Sequence, residues 1–269
     1  MQYKQKRKLE TPSINEAIFD EHLAKLQALI GEQDIREKII KTFNPSANII
    51  VFPQDCFIMT KNFCNSEKIR ESKRNEIAYQ TVNKFLETVK TSKSTVYTTF
   101  MDPECEAEET HYVSVIGYPD VKQIILFDSG RNTDGTEIRY GAASIEQALT
   151  DLSPKFGFGF QVLASKNLIQ NYENDNFCQT WSLIFLCNAV NSTYEKLVSS
   201  YATDSFVLNF STKDQRINML KSMYKYILSR ATVVSYIRTN YVLDHPLAET
   251  QYILENADDN YYLSGVPFE

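Results

Sequence analysis

Few residues in this chain are able to carry chemistry, and three of them combine into one site. By residue type, Cys178 is a nucleophile, His111 a proton acceptor, and Asp128 an acid able to orient the histidine. Cys178 follows Asn174-Asp175-Asn176-Phe177, a stretch with strong helix-starting chemistry, and an almost wholly apolar segment runs from it to Val190. A thiol in the first turn of a helix faces the positive end of the macrodipole, which favours the thiolate, the reactive form. The same terminus offers free backbone N–H groups that stabilise an oxyanion beside an attacked carbonyl. Gln170, just upstream, is a candidate side-chain donor for that oxyanion.

A hairpin brings the other two residues together. Tyr112 to Tyr118 and Val121 to Phe127 read as strands, with Pro119-Asp120 between them. A turn centred on that pair sets His111 opposite Asp128, with the two residues about 5 Å apart on one face. The carboxylate then fixes the imidazole tautomer and raises its pKa, so the histidine can accept a thiol proton and hold the positive charge. A longer turn or a bulge shifts this register.

Other chemistries lack their parts. The remaining histidines are His22 and His245, and the remaining cysteines Cys56, Cys64, Cys105 and Cys187. Neither His-Glu-x-x-His nor Cys-x-x-Cys occurs, so no metal site is expected. No glycine-rich phosphate loop, dinucleotide fingerprint or Gly-x-Ser-x-Gly elbow is found among only 8 glycines, and no cofactor is expected. Cys105 lies between Glu104 and Glu106 in an acidic stretch read as a loop, where neighbouring negative charge disfavours a thiolate. Cys187 reads as core. An odd cysteine count without a readable leader fits free thiols in a reducing, intracellular setting. The longest apolar run, Leu183 to Cys187, is too short to cross a bilayer, so no membrane partner is expected. A net charge of −6 argues against a general nucleic-acid coat. Lys4, Lys6, Arg7 and Lys8 leave the basic N-terminus as the one place for such contact.

The elements that must position the three residues read as one α+β unit: a central mixed sheet, a buried helix opening at Cys178, and helical flanks. Capping boxes at Ser13-Ile-Asn-Glu16, Ser144-Ile-Glu-Gln147 and Thr212-Lys-Asp-Gln215 predict helix starts. Further helices are expected over Asp34 to Phe43 and Glu67 to Thr91, and strands over Ala47 to Phe52, Phe57 to Met59, Thr95 to Phe100 and Phe158 to Ala164. Val233 to Val242 fits helix or strand. Residues 1–92 form a mainly helical N-terminal region, a candidate accessory lobe that recognises substrate. Residues 93–269 hold the catalytic region and a helical C-terminal part.

The order His, acid, Cys resembles the adenovirus-type and Ulp-type (SUMO protease) clan of cysteine proteases. In that clan the histidine opens one strand, the acid ends the next about 17 residues on, and the cysteine begins a buried helix about 50 residues further. His111 to Asp128 is 17 residues here, and Asp128 to Cys178 is 50. Tyr112 stands where the clan often has Trp, and Cys178-Gln-Thr-Trp-Ser182 looks like divergent members encoded by large DNA viruses. The resemblance covers about residues 95 to 195. It departs at Gln179, where the clan usually has Gly. It departs again before the cysteine: oxyanion glutamines of the clan lie six or seven residues upstream, positions held here by Tyr172 and Asn171, while Gln170 is eight upstream. What the resemblance implies is a papain-like, Ulp-like architecture. It also implies cleavage of a peptide or isopeptide bond in a protein substrate, a polyprotein or a ubiquitin-like conjugate, through a thioester. Two other readings stay open: an acyltransferase on the same scaffold, marked by acyl-CoA dependence, and a non-catalytic binding or structural protein, marked by an inert Cys178.

Overall fold

The computed structural model describes residues 29–45, 50–51, 58–59, 66–101, 104–105, 111–132, 143–165, 177–202 and 213–241. In chain order the elements are helix α1 (Gln33–Phe43), strands β1 (Ile50–Val51) and β2 (Ile58–Met59), and helix α2 (Glu67–Thr91). Strands β3 (Val96–Met101), β4 (Glu104–Cys105), β5 (Tyr112–Tyr118) and β6 (Gln123–Asn132) follow. Helix α3 (Ala143–Phe156), strand β7 (Gly159–Ser165) and helices α4 (Cys178–Ala189), α5 (Tyr194–Ala202), α6 (Lys213–Ser229) and α7 (Ala231–Asn240) complete the series.

Five strands form one mixed sheet in the order β1-β3-β5-β6-β7. The β3–β5 and β5–β6 pairs are antiparallel, and the outer pairs β1–β3 and β6–β7 are parallel. The fold is thus α+β, as expected. The central strand β5 is buried from Val113 to Tyr118, which accounts for its nearly continuous apolar sequence. On one face, Tyr97, Ile116, Ile125 and Phe127 pack with Ile35, Ile39 and Ile40 of α1, with Trp181, Leu183 to Cys187 and Ala189 of α4, and with residues of α6 and α7. On the other, Phe100, Val115 and Leu126 pack against Val82, Phe85, Leu86 and Val89 of α2 and Ile145 and Leu149 of α3.

Several expectations change in detail. The β5–β6 loop has four residues, Pro119 to Lys122, and Tyr118 pairs with Gln123. Lys122 adopts a left-handed conformation (φ 51°), which a loop of this length needs to reverse the chain between twisted strands. The register is therefore displaced from the one that sets His111 opposite Asp128. The displacement is an even number of residues, so both stay on the same face. Ser144 is buried inside α3, which starts one residue earlier, so its capping box does not open that helix. Glu104–Cys105 forms a short parallel pairing with Ile58–Met59 where a loop is expected. The ambiguous stretch after Val233 is helical. Ser13–Glu16 lie outside the described residues, and of the helix they are expected to open only Leu29 to Gly31 is described, as helix. Among the described residues, no helix is long and apolar enough to cross a membrane.

Candidate active site

Helix α4 carries Cys178 as its first residue. Eleven of its twelve residues are buried, Gln179 being the one that is not. A helix that is apolar all round has no solvent face and belongs inside. Its start differs from the polar cap expected from Asn174-Asp175-Asn176, which lie outside the described residues. The N-cap position is Phe177, whose side chain makes no capping bond and is buried in the core. Its carbonyl accepts the first intrahelical bond from Trp181 N at 2.9 Å. The ring anchors the helix end by burial, and it takes none of the first-turn N–H groups that an anion needs.

Hydroxyls fix α4 against the central strand. Ser114 Oγ donates to the Ser182 carbonyl at 2.9 Å, and Ser182 Oγ donates to the Tyr112 carbonyl at 3.1 Å. The Phe185 ring stacks on Phe127, with centroids 4.3 Å apart and planes at 6°. Thr180 shares a short hydrogen bond with the Tyr224 hydroxyl of α6. Trp181, 1% exposed, is core.

His111 sits immediately before β5 and Asp128 on β6, and both are buried. Their side chains meet at 2.6 Å, Nε2 to Oδ1. The same oxygen accepts the Gly130 N–H at 2.8 Å. The acid lies at a break in the sheet. β6 and β7 pair regularly up to Phe127–Leu163 and resume at Asn132–Ser165, with a bulge between. A bulge bends the strand and re-aims its side chains, which brings the Asp128 carboxylate to a histidine it does not directly oppose.

Burial alone would lower the His111 pKa. Hydrogen bonds to Asp128 and Cys178, together with the negative charge of both, outweigh it and raise the imidazole from 6.5 to about 10. Asp128 and Cys178 both act on the ring in the same direction. With Nε2 donating to Asp128, Nδ1 is the nitrogen left to exchange a proton with Cys178. In Cys187, complete burial pushes the thiol well above its ordinary range, as fits a core residue.

Gln170, His22, His245, Cys56 and Cys64 lie outside the described residues. Among those described, no group of three His, Cys, Asp or Glu side chains is placed to hold a metal ion. Gly130 is the site residue that a search for reactive types passes over. It stands in Asp128-Ser-Gly130, a sequence that reads as the start of a turn but forms a bulged strand.

No family model matches the chain, and no curated protein matches it. Among solved structures it is similar to the SUMO protease Ulp1 with its catalytic cysteine oxidised to a sulfinic acid. That match has 14% identity and a TM-score of 0.33, and it covers 72% of this chain and 97% of the other. HopZ1a in complex with IP6 and CoA matches at 12% identity and a TM-score of 0.39, over 87% of this chain and 64% of its own. The Legionella pneumophila effector RavZ matches at 14% identity and a TM-score of 0.31, over 83% and 72%.

Proposed function

We propose that this protein is a thiol hydrolase that cleaves a peptide or isopeptide bond in a protein substrate, with Cys178 as nucleophile, His111 as acid–base and Asp128 as its orienting carboxylate. The observation that carries this reading is the 2.6 Å bond from Asp128 to a buried imidazole whose hold on its proton is strengthened by Asp128 and by Cys178, the first residue of a buried helix. Each part has a chemical reason. Asp128 holds the proton on Nε2 and stabilises the imidazolium. Below about pH 10 the proton shared with Cys178 resides on His111 Nδ1 as imidazolium, and the sulfur attacks the carbonyl carbon of the scissile bond. The carbonyl electrons move to oxygen, where first-turn N–H groups of α4 face the developing charge. Gln170 is proposed as a second donor there. When the carbonyl re-forms, the C–N bond breaks and His111 gives its proton to the leaving amine. Water, deprotonated by His111, then attacks the thioester. The acid is released and the thiol restored.

Polyproteins and ubiquitin-like conjugates are the substrate classes proposed. The test is a panel of fluorogenic peptides and of ubiquitin-like proteins bearing a C-terminal amide reporter, assayed with the native chain and with Cys178→Ala. Turnover by the native chain that is lost in Cys178→Ala supports the reading. If the native chain hydrolyses none of them but transfers an acyl group from acyl-CoA through Cys178, it is an acyltransferase. If Cys178 is as inert to alkylation as Cys187, the site is not catalytic.

A further inference from the structure

The Asp128 carboxylate is buried where the regular β6–β7 pairing is interrupted, and it meets the imidazole at one oxygen. Gly130 supplies what the ladder lacks. Its N–H donates to that same Oδ1, so one oxygen is fixed by a backbone donor as well as by the histidine. A Cβ added at Gly130 would stand 3.3 Å from Asp128 Oδ1, 3.4 Å from His111 Cε1 and 3.5 Å from His111 Nε2. The glycine is not there for its backbone: its φ does not fall in the left-handed region, which among the described glycines only Gly157 occupies. Space is the remaining reason. The atom a methyl would press on is the buried Asp128 oxygen, with the His111 ring at ordinary contact distance behind it, and neither group is the loose end of a flexible chain.

We propose that Gly130 is a positioning residue of the site: its N–H locks the Asp128 carboxylate, and its missing side chain leaves that oxygen undisplaced where it holds the His111 ring toward Cys178. This rests on the hydrolase reading only in its last step, since the effect on the His111–Asp128 pair stands whatever the site does.

The test has two readouts on Gly130→Ala. The first is the imidazole titration of His111 by NMR, assigned among the 3 histidines by the resonance lost in His111→Ala. The second is the rate at which iodoacetamide alkylates Cys178 at about pH 6, where an ordinary thiol is almost wholly protonated. A displacement of a few tenths of an ångström is expected to slow alkylation about tenfold, partway to His111→Ala. It is also expected to move the imidazole titration down from about 10. A structural control is Gly117→Ala, whose added Cβ meets Val89 at 2.4 Å, six residues along β5 from His111. It is expected to lower Tm and leave the His111 titration in place. If Gly130→Ala does not fold, an ester in place of the 129–130 amide removes the N–H without adding bulk, and it is expected to slow alkylation in the same direction. A folded Gly130→Ala, or a folded ester variant, with the wild-type titration and the wild-type alkylation rate overturns the proposal. If Cys178 in the native chain alkylates no faster than Cys187, the hydrolase reading falls, and the titration alone then decides the role of Gly130.

Discussion

At the scale of single residues, His111 is the group whose proton sets the behaviour of the site. Its pKa is raised from 6.5 to about 10, so the folded chain binds that proton more tightly than the unfolded chain does. The stability it contributes is therefore complete below about pH 6.5 and is lost as pH rises through about 10. Denaturant unfolding of the native chain and of His111→Ala across that window is expected to show a stability difference that shrinks with pH. A constant difference would show that the raised pKa is absent. On the proposed hydrolase reading, turnover follows the same proton for a different reason. The leaving amine needs the imidazolium, so hydrolysis is expected to fall off on the alkaline side near pH 10, whereas alkylation of Cys178, which needs no proton donor, is not. In His111→Ala, selective alkylation of Cys178 at about pH 6 is expected to drop to the level of an ordinary thiol. Retention of fast alkylation in that variant would separate Cys178 from His111.

At the scale of elements, the site depends on how α4 is held against β5. Ser182 Oγ donates to the Tyr112 carbonyl, next in the chain to His111, so this hydroxyl ties the helix that opens at Cys178 to the strand that follows His111. Ser182→Ala leaves a buried carbonyl short of a donor and is expected to cost about 1–3 kcal/mol by urea unfolding. Alkylation of Cys178 should also slow. Loss of stability with unchanged alkylation would mean the tie is structural only. The elements themselves are largely legible: α2 has the ends its sequence predicts, from a charged stretch carrying one apolar face, and so does β5, from a short apolar and β-branched run that stops at Pro119. What was not legible depends on geometry without a residue-type signature. The hairpin register turns on one left-handed lysine, Lys122, in a four-residue loop. The start of α4 is held by a phenyl ring where cap chemistry would call for a polar side chain. The reactive types His111, Asp128 and Cys178 stand out by spacing, but Gly130 contributes only a backbone N–H and an empty volume, and neither leaves a mark in a sequence. Val233 to Ile237 is apolar and β-branched enough to suit either period, and only its packing with α6 and α1 makes it a helix.

At the scale of the whole molecule, the sheet that positions the site is covered on both faces by residues that precede 93. Ile35, Ile39 and Ile40 of α1 lie in the core that surrounds α4, and Val82, Phe85, Leu86 and Val89 of α2 lie in the core behind β5, all with no exposed surface. Phe85 meets Phe100 of β3 edge to face at 5.5 Å. The ties reach the far end of the chain as well. Asp34 of α1 accepts hydrogen bonds from the hydroxyls of Tyr236 and Tyr241 at 2.6 and 2.7 Å. Burial of each of those seven side chains is worth about 1.5–3 kcal/mol, so losing them together removes on the order of 10–20 kcal/mol. A domain has a net stability of about 5–15 kcal/mol, and the loss is of that size or larger. A fragment of residues 93–269 is therefore expected to lack cooperative unfolding and dispersed amide resonances, and its Cys178 to alkylate like an unfolded thiol. A fragment that folds and keeps fast, His111-dependent alkylation would show that the sheet stands without α1 and α2. The N-terminal region would then be free to serve substrate recognition alone.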